Sequence, residues 1–440
     1  MRKFLLSFVL LLVIPACTFG QGQKIDFVEY DLPNGLHVIL HQDNSIPIVA
    51  VTTTYHVGSK NENASRTGFA HFFEHLMFEG SENIKRGEID NLIQNAGGQL
   101  NASTSFDETK YYFILPSNQL ELGLWIESER MLHAKVDTVG VETQRKVVKE
   151  ERRQSIDNRP YGSMFEQVFS HSFKVHPYRW TPIGSFQYID QATIDEFRDF
   201  YKTFYVPNNA VLSIAGDIDI NKTKELINSY YSTIPKGTKT IPRPTEVEPA
   251  KTAEVRDSVF DNIRLPAVIE AYHIPAQTDD DYYAISMLTN LLSEGQSSRL
   301  YKALVDNKKV ALYSGSFPMS MEDPGLFITY SIAGMGKTAQ ENEAAMDQEI
   351  ERVKKELISD EEFQKLKNQS ETDLVKEKNR QLGIAESLAT YYIFFKNTNL
   401  INTEIEKYLA VTKEDLKRAA NKYFCNDNRT VLYYLPKTAK

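Results

Sequence analysis

The stretch Gly68-Phe69-Ala70-His71-Phe72-Phe73-Glu74-His75-Leu76-Met77-Phe78 decides how the rest of the chain is interpreted. In a helix, residues three and four apart share a face, so His71, Glu74 and His75 point the same way. Two imidazoles one turn apart can both reach one Zn²⁺ at about 2.0–2.1 Å, and the carboxylate beside them can take a proton from a water that the metal activates. This His-x-x-Glu-His pattern, the inverse of His-Glu-x-x-His, therefore predicts a hydrolytic zinc site.

The alternative for this stretch is an aromatic core helix that carries two hydrogen-bonded histidines. The pattern argues against that alternative, because the His and Glu content of the chain predicts only about 0.01 such patterns by chance. Eight of the nine histidines also precede residue 180, in the part of the chain that holds the pattern.

The composition of the chain argues against several classes of partner and metal site. The net charge is −9, from 50 basic and 59 acidic residues, which argues against nucleic acid or an anionic membrane as a partner. The chain has two cysteines, Cys17 and Cys425. Two cysteines provide neither a disulfide framework nor a Cys-rich zinc site, so any metal must be held by His and carboxylate side chains.

The first residues predict export. Two basic residues precede an apolar run from Phe4 to Ile14, which is too short to cross a bilayer and is typical of a secretory signal peptide over residues 1–20. The run Ile14-Pro15-Ala16-Cys17 also resembles a loose bacterial lipoprotein signal, in which Cys17 would carry lipid and anchor the protein to a membrane. Either interpretation predicts a bacterial periplasmic location.

An internal duplication predicts two tandem α+β domains. A Pro-led β-rich run ends in Tyr-His near the start of each half, at residues 47–56 and 266–273. Near the end of each half, a capped helix after Thr193 or Thr412 leads into a strand, at a constant offset of 219 residues. Each domain is predicted to be a mostly antiparallel sheet packed with helices. The predicted boundaries are residues 21–234 for the N-terminal domain, 235–253 for a Pro-rich linker and 254–440 for the C-terminal domain.

The two copies differ in the metal residues. Aligning Ala70 with Ala284 puts Ile285, Leu288 and Thr289 where the first copy has His, Glu and His. The sequence therefore predicts zinc chemistry in the first half alone.

A catalytic zinc site needs a third protein ligand, and a predicted helix near residue 150 offers two acids, Glu150 and Glu151. Val147 and Val148 mark its expected buried face, and Glu151 lies four and three residues after them. Glu150 is less well centred on that face. Spacing favours Glu151, and the alternative is that both are surface charges.

With Glu151 placed 76 residues after His75, the motif resembles the pitrilysin or insulinase family of inverted zinc metallopeptidases, which includes the mitochondrial processing peptidase. That family's last ligand ends a Glu-Arg-x-Val-x-x-x-Glu helix. This helix pattern matches residues 144–151, with Gln144 in place of the leading Glu. The resemblance implies that Glu151 is the third ligand of one Zn²⁺ per chain.

A second segment extends the resemblance. The run Asn101-Ala102-Ser103-Thr104-Ser105 is similar to the family's Asn-Ala-x-Thr-Ser strand. The resemblance implies that the backbone of Asn101, Ala102 and Ser103 binds an extended peptide through main-chain hydrogen bonds. Without the zinc motif, an ordinary turn and strand would be the simpler interpretation.

One part of the family pattern is missing. Active members carry an Arg and a Tyr seven residues apart in the C-terminal half, and these side chains stabilise the developing oxyanion. This chain has Val305 and Leu312 at those positions. The resemblance then implies half of a clam-shell dimer, completed by a related zinc-less subunit that supplies the Arg and Tyr. A homodimer that uses Arg299, Tyr301 or Tyr313 is the alternative.

Together these features predict an exported zinc endopeptidase that hydrolyses peptides or unfolded segments, with Glu74 as general base. The competing hypothesis is a non-catalytic peptide-binding or assembly subunit of the same family.

Overall fold

The computed structural model describes residues 24–437, so the predicted signal peptide and Cys17 lie outside the described residues. Within the N-terminal half, strands and helices alternate irregularly along the chain. The elements are β1 (Val28–Asp31), β2 (His37–Gln42), β3 (Ile48–Tyr55), α1 (Phe69–Leu76), α2 (Glu88–Asn95), β4 (Gln99–Thr104), β5 (Thr109–Pro116), α3 (Leu120–His133), α4 (Thr138–Arg152), α5 (Met164–Ser172), α6 (Phe186–Gln191), α7 (Ile194–Phe204), β6 (Ala210–Gly216) and α8 (Ile220–Tyr231).

The C-terminal half repeats this pattern with fewer strands. Its elements are β7 (Val255–Asp261), β8 (Ala267–His273), α9 (Asp281–Ser293), β9 (Ala311–Met319), β10 (Leu326–Ala333), α10 (Ala339–Lys355), α11 (Asp360–Lys378), α12 (Gln381–Thr390), α13 (Leu400–Ala410), α14 (Lys413–Tyr423) and β11 (Arg429–Pro436). None of the helices within residues 24–437 combines the length and hydrophobicity that a membrane-spanning segment requires.

The two sheets share one topology. The first has the strand order β1-β2-β6-β3-β5-β4 and the second β7-β11-β8-β10-β9. One pair in each sheet is parallel, β2 with β6 and β7 with β11, and the remaining pairs are antiparallel. Strand β1 is an addition at the outer edge of the first sheet. The prediction of two duplicated α+β domains with mostly antiparallel sheets is therefore confirmed.

Equivalent side chains confirm the offset of 219 residues. The Asn209 amide donates to the carbonyl oxygens of Phe204 (2.8 Å) and His56 (3.3 Å). The Asn428 amide donates to those of Tyr423 (2.7 Å) and His273 (2.9 Å). In both halves this asparagine joins the end of a helix to the end of a central strand, which fixes the turn before the last strand.

One helix of each half packs on the sheet of the other half. Helix α5 of the N-terminal half packs through Val168 and Phe169 on Ala267 and Ile269 of the second sheet. Helix α12 of the C-terminal half packs on Ile39, Ala50, Val211 and Ala215 of the first sheet. Each sheet therefore buries one face against the other half of the chain, because its own helices cover only the opposite face.

The predicted linker, residues 235–253, contains neither helix nor strand. It is nevertheless tied down, since the Glu248 carboxylate accepts the backbone N–H groups of Lys174, Val175 and His176 at 2.8–2.9 Å. The Arg243 guanidinium donates to Asn209 at 2.6 Å. The domain boundaries themselves stay a prediction, because the packing of α5 and α12 crosses them.

Ion pairs around the buried side chain of Lys60 join the tips of two equivalent hairpins. The Lys60 ammonium lies 2.9 Å from Asp107 at the β4–β5 tip and 3.0 Å from Asp323 at the β9–β10 tip, and it also pairs with Glu322. The imidazole of His56 lies 2.7 Å from Glu322. Burial alone would raise the pKa of Glu322, but the contacts with His56 and Lys60 outweigh burial and lower the pKa to about 2.

The substitution Glu322→Gln tests whether these ion pairs stabilise the fold. The folded-state pKa of Glu322 lies below the ordinary value of 4.5, so its contribution to stability is complete above that value and is lost as pH falls toward about 2. We expect the variant to lose about 2–3 kcal/mol at neutral pH and much less near about pH 3. Thermal unfolding at both pH values measures the difference. Glu371→Gln, an exposed carboxylate on α11, serves as the control, and equal losses in the two variants would contradict the role of these ion pairs.

Candidate metal centre

The eight-residue helix α1 carries the His-x-x-Glu-His pattern and is held at both ends. At its N-terminus, the buried carboxyl group of Glu62 accepts the backbone N–H groups of Gly68 (2.9 Å) and Ala70 (2.7 Å). Burial raises the pKa of Glu62 to about 8, against the lowering effect of these N–H donors. At its C-terminus, the buried guanidinium of Arg130 donates to the carbonyl of Met77 (3.1 Å). These partners satisfy terminal backbone groups that a helix leaves open.

Two glycines let the backbone approach this helix closely. Gly68 precedes α1 with φ of 97°, and Gly184 lies against it with φ of 67°. A Cβ atom at Gly184 would meet the Cα of Gly68 at 2.3 Å, so neither contact nor conformation admits a side chain there.

Three donor atoms meet where the sequence predicts the metal. His71 Nε2 and His75 Nε2 on α1 are 3.4 Å apart. Glu151, near the end of α4, places Oε1 3.6 Å from His71 Nε2 and Oε2 3.2 Å from His75 Nε2. The structure thus brings together the three residues that the sequence selected from two distant helices.

These separations fit a tetrahedral zinc ion. Two ligands at about 2.0–2.1 Å from Zn²⁺ with tetrahedral angles lie about 3.3 Å from each other. Burial and the neighbouring His75 lower the pKa of His71 to about 4, and a hydrogen bond from His75 lowers the pKa of Glu151. At neutral pH, His71 is therefore neutral and Glu151 ionised, which are the protonation states that a metal ligand needs.

The structure distinguishes Glu151 from Glu150. The Glu150 carboxylate is exposed and accepts hydrogen bonds from Arg153 (3.1 Å) and Gln154 (3.0 Å), away from the histidines. The prediction that Val147 lies on the buried face is wrong, because its side chain is 43% exposed. Only Val148 is buried, and Glu151 shares its face one helical turn later.

Glu74 lies beside the three donor atoms and is held by a neighbouring strand. The Thr104 hydroxyl on β4 donates to Glu74 Oε2 at 2.6 Å. Burial raises the pKa of Glu74 above its ordinary value. A carboxylate on the helix that carries both histidines is a candidate general base.

Strand β4 forms the edge of the first sheet, next to the candidate site. The N–H of Ala102 donates to the Asn101 side chain (2.9 Å) instead of to β5, so it lies on the open edge. Ser103 pairs with Lys110 of β5, and its side chain is exposed. All three predicted peptide-binding residues thus lie on an edge strand, and the main-chain N–H of Ala102 is on its open side, where an extended backbone can pair.

A cavity of about 690 Å³ opens from the metal centre between the two halves. His71, Glu151 and Thr104 line it on the N-terminal side. The opposite wall consists of apolar and aromatic residues of the second sheet, namely Ala267, Ile269, Phe317, Tyr330 and Ile332. The cavity has the size and lining of a site for a bulky apolar group.

The C-terminal half lacks the donors of the metal centre. Ile285, Leu288 and Thr289 are buried in the second core. A group of three acids, Glu270, Glu343 and Asp347, is the other cluster of candidate ligands within residues 24–437. The Arg429 guanidinium already lies among them, 2.7 Å from Asp347 and 3.8 Å from Glu270, so this cluster is an ion-pair network.

The positions that the family uses for its Arg and Tyr carry no such groups. Leu312, on edge strand β9, is 63% exposed, and Val305 lies in a π-helical turn over Tyr301–Asn307. Arg299 is buried and makes two hydrogen bonds of 2.9 Å to Glu362, so it is not free to act across a dimer. Tyr313 is 50% exposed.

Sequence reasoning missed the groups that support the site. Glu62 lies six residues before Gly68 in a loop, outside any N-cap position, and no local signal marks it. Thr104 could have been found, since strand alternation puts it on the same face as Ala102. Gln144, in place of the family's leading Glu, donates to the buried carboxylate of Glu79 at 2.6 Å.

Proteins that are similar to this chain in sequence or in fold are named as proteases or peptidases. Residues 37–181 match the model of insulinase (peptidase family M16), and residues 191–370 match that of the peptidase M16 inactive domain. The chain is 32% identical to zinc protease PqqE of Helicobacter pylori over 439 residues, which is 98% of each chain. It is 23% identical over 403 residues to a probable mitochondrial-processing peptidase subunit beta of Arabidopsis thaliana, covering 89% of this chain and 75% of the relative.

The solved structures agree with the sequence matches. A protease from Helicobacter pylori superposes with a TM-score of 0.90 at 30% identity, covering 94% of this chain and 100% of that one. The first half carries the inverted zinc motif, the second half lacks its donors, and the matches cover both halves. The chain therefore belongs to the M16 (insulinase) family of peptidases.

Proposed function

We propose that this chain is an exported zinc endopeptidase that hydrolyses peptides or unfolded polypeptide segments. The proposal rests on the meeting of donor atoms of His71, His75 and Glu151 within 4.8 Å of one another. Glu74 lies on the same helix as the two histidines. When bound there, one Zn²⁺ per chain would supply Lewis-acid chemistry, lowering the pKa of a water to about 7 and polarising a carbonyl.

The residues of the chain perform the proton transfers. Glu74 takes a proton from the attacking water, whose oxygen bonds to the carbon of the peptide carbonyl. Glu74 then gives that proton to the amine nitrogen as the C–N bond breaks, so the carboxylate is regenerated. The Thr104 hydroxyl holds one oxygen of the Glu74 carboxylate through both steps.

The surroundings favour extended substrates with bulky apolar side chains. The open edge of β4 offers backbone groups to an unpaired strand, which a folded protein does not present. The cavity beside the metal centre has an apolar wall contributed by the second sheet. Export to the bacterial periplasm is part of the proposal and rests on the apolar run after Arg2 and Lys3.

We further propose a partner subunit. Family members named as processing-peptidase subunits include the Arabidopsis relative, and this chain has Val305 and Leu312 where an Arg and a Tyr are expected. A related zinc-less chain that supplies these side chains would complete the site. A homodimer using Tyr301 or the exposed Tyr313 is the alternative, since Arg299 is bound to Glu362.

A non-catalytic peptide-binding subunit is the second candidate function. The missing Arg and Tyr favour it, whereas the complete set of Glu74 and the three donors argues against it. Stoichiometric zinc without peptide turnover, alone or with a related chain, would identify this function.

The substitution Glu74→Gln tests the general base. We expect turnover of an unfolded protein substrate to fall by about 10²–10⁴-fold, because the amide cannot accept the proton from water. Zinc content, measured by atomic absorption, should stay at the wild-type level, since Glu74 is not among the three donors. Turnover at the wild-type rate in this variant would rule out the assigned role.

The pair Glu151→Gln and Glu150→Gln tests the third ligand. We expect Glu151→Gln to weaken zinc binding by more than the roughly 10- to 100-fold that loss of an outer-shell partner costs. Glu150→Gln should leave the zinc dissociation constant unchanged, because its carboxylate is exposed and contacts Arg153 and Gln154. Competition with a fluorescent chelator measures both constants. Equal constants in the two variants would contradict the ligand assignment.

Mixing experiments test the partner. We expect the purified chain alone to turn over slowly and to gain about 10²-fold or more when mixed with a related chain that lacks His-x-x-Glu-His but keeps the Arg and Tyr, because the oxyanion is then stabilised. The Glu74→Gln chain in the same mixture controls for activity of the partner. Full activity of the chain alone, with elution as a homodimer, would contradict the two-chain proposal.

A further inference from the structure

Strand β4 serves the candidate site in two ways within three residues. The main-chain N–H of Ala102 lies on the open edge, where an extended peptide would pair. The side chain of Thr104, two residues later and on the same face, reaches Glu74 with a hydrogen bond of 2.6 Å. Because a strand rises about 3.3 Å per residue, the Cα atoms of Ala102 and Thr104 lie about 7 Å apart along the strand.

The geometry points to Thr104 as a positioning residue for Glu74, an inference that rests on the proposed function. We infer that its hydroxyl holds Oε2 of the Glu74 carboxylate, so that Oε1 faces the reacting water and takes the proton. Among residues 24–437, Oε2 accepts the Thr104 hydroxyl and Oε1 accepts no side-chain or backbone donor. The two oxygens of Glu74 are therefore distinguished by the protein.

The hydroxyl of Thr104 is available for this contact. Its neighbour Thr109 is fully buried and donates its own hydroxyl to the carbonyl of Val57 (2.9 Å), while its oxygen lies 3.5 Å from Thr104 Oγ1. Since a hydroxyl carries one hydrogen, Thr109 is committed to Val57 and does not compete for Glu74. Thr104 directs its single hydrogen to the carboxylate.

A peptide that pairs with β4 would also fix Thr104. An edge strand bonded on one side gains a second set of main-chain hydrogen bonds when a peptide adds to it. Peptide binding and orientation of the Glu74 carboxylate are then coupled through β4, and the coupling favours proton transfer when substrate is in place.

Isosteric substitutions test this role. Thr104→Val removes the hydroxyl and keeps the shape, and we expect kcat to fall about 10- to 100-fold with KM changed less than about twofold. Thr104→Ser restores the hydroxyl and should restore most of kcat. Thr52→Val is the control, because Thr52 is a buried β3 threonine whose hydroxyl has no hydrogen-bond partner within residues 24–437. We expect it to match the wild type.

Crystal structures supply a readout that does not depend on turnover. We expect the Glu74 carboxylate to leave its position in Thr104→Val and to keep it in Thr104→Ser. An unmoved carboxylate together with wild-type kcat in Thr104→Val would overturn the inference. A displaced carboxylate in a chain whose wild type has no activity under any pairing would support the positioning role and refute the proposed function instead.

Discussion

The fixed position of α1 is the constraint on which the rest of the site depends. A helix of eight residues is marginal in isolation, so its placement must come from contacts outside it. Glu62 binds the N–H groups of Gly68 and Ala70, Arg130 binds the carbonyl of Met77 at the other end, and Gly68 packs backbone to backbone on Gly184. With both ends fixed, the two imidazoles point to one place. A carboxylate from α4 can then meet them at 3.2–3.6 Å.

The duplication gives the second half a supporting role. The second copy keeps the sheet topology and the asparagine that closes the last turn, but it replaces the donors with buried side chains. Its sheet forms the apolar wall of the cavity beside the metal centre. The packing of α5 and α12 on the opposite sheets and the ion pairs of Lys60 hold the halves together, and His71, Glu151 and this wall line the same cavity.

Features that depend on the spacing of residues along the chain could be predicted from the sequence. The face shared by residues 71, 74 and 75 follows from helical geometry, and the duplication followed from a constant offset. Contacts between residues that are distant in the sequence could not be predicted from spacing. The packing of α5 and α12 on the opposite sheets leaves no periodic signal, and Glu62 binds α1 from a loop. Val147 was misassigned because one apolar residue on a helix face does not require its neighbour to be buried.

The proposed mechanism requires that His71, His75 and Glu151 bind one zinc ion. Anomalous diffraction at the zinc absorption edge, from crystals of the wild-type chain grown with equimolar Zn²⁺, tests that claim most directly. We expect a single strong peak in contact with His71, His75 and Glu151. A peak elsewhere, or a peak contacting the histidines with Glu151 turned away and no other carboxylate in its place, would contradict it.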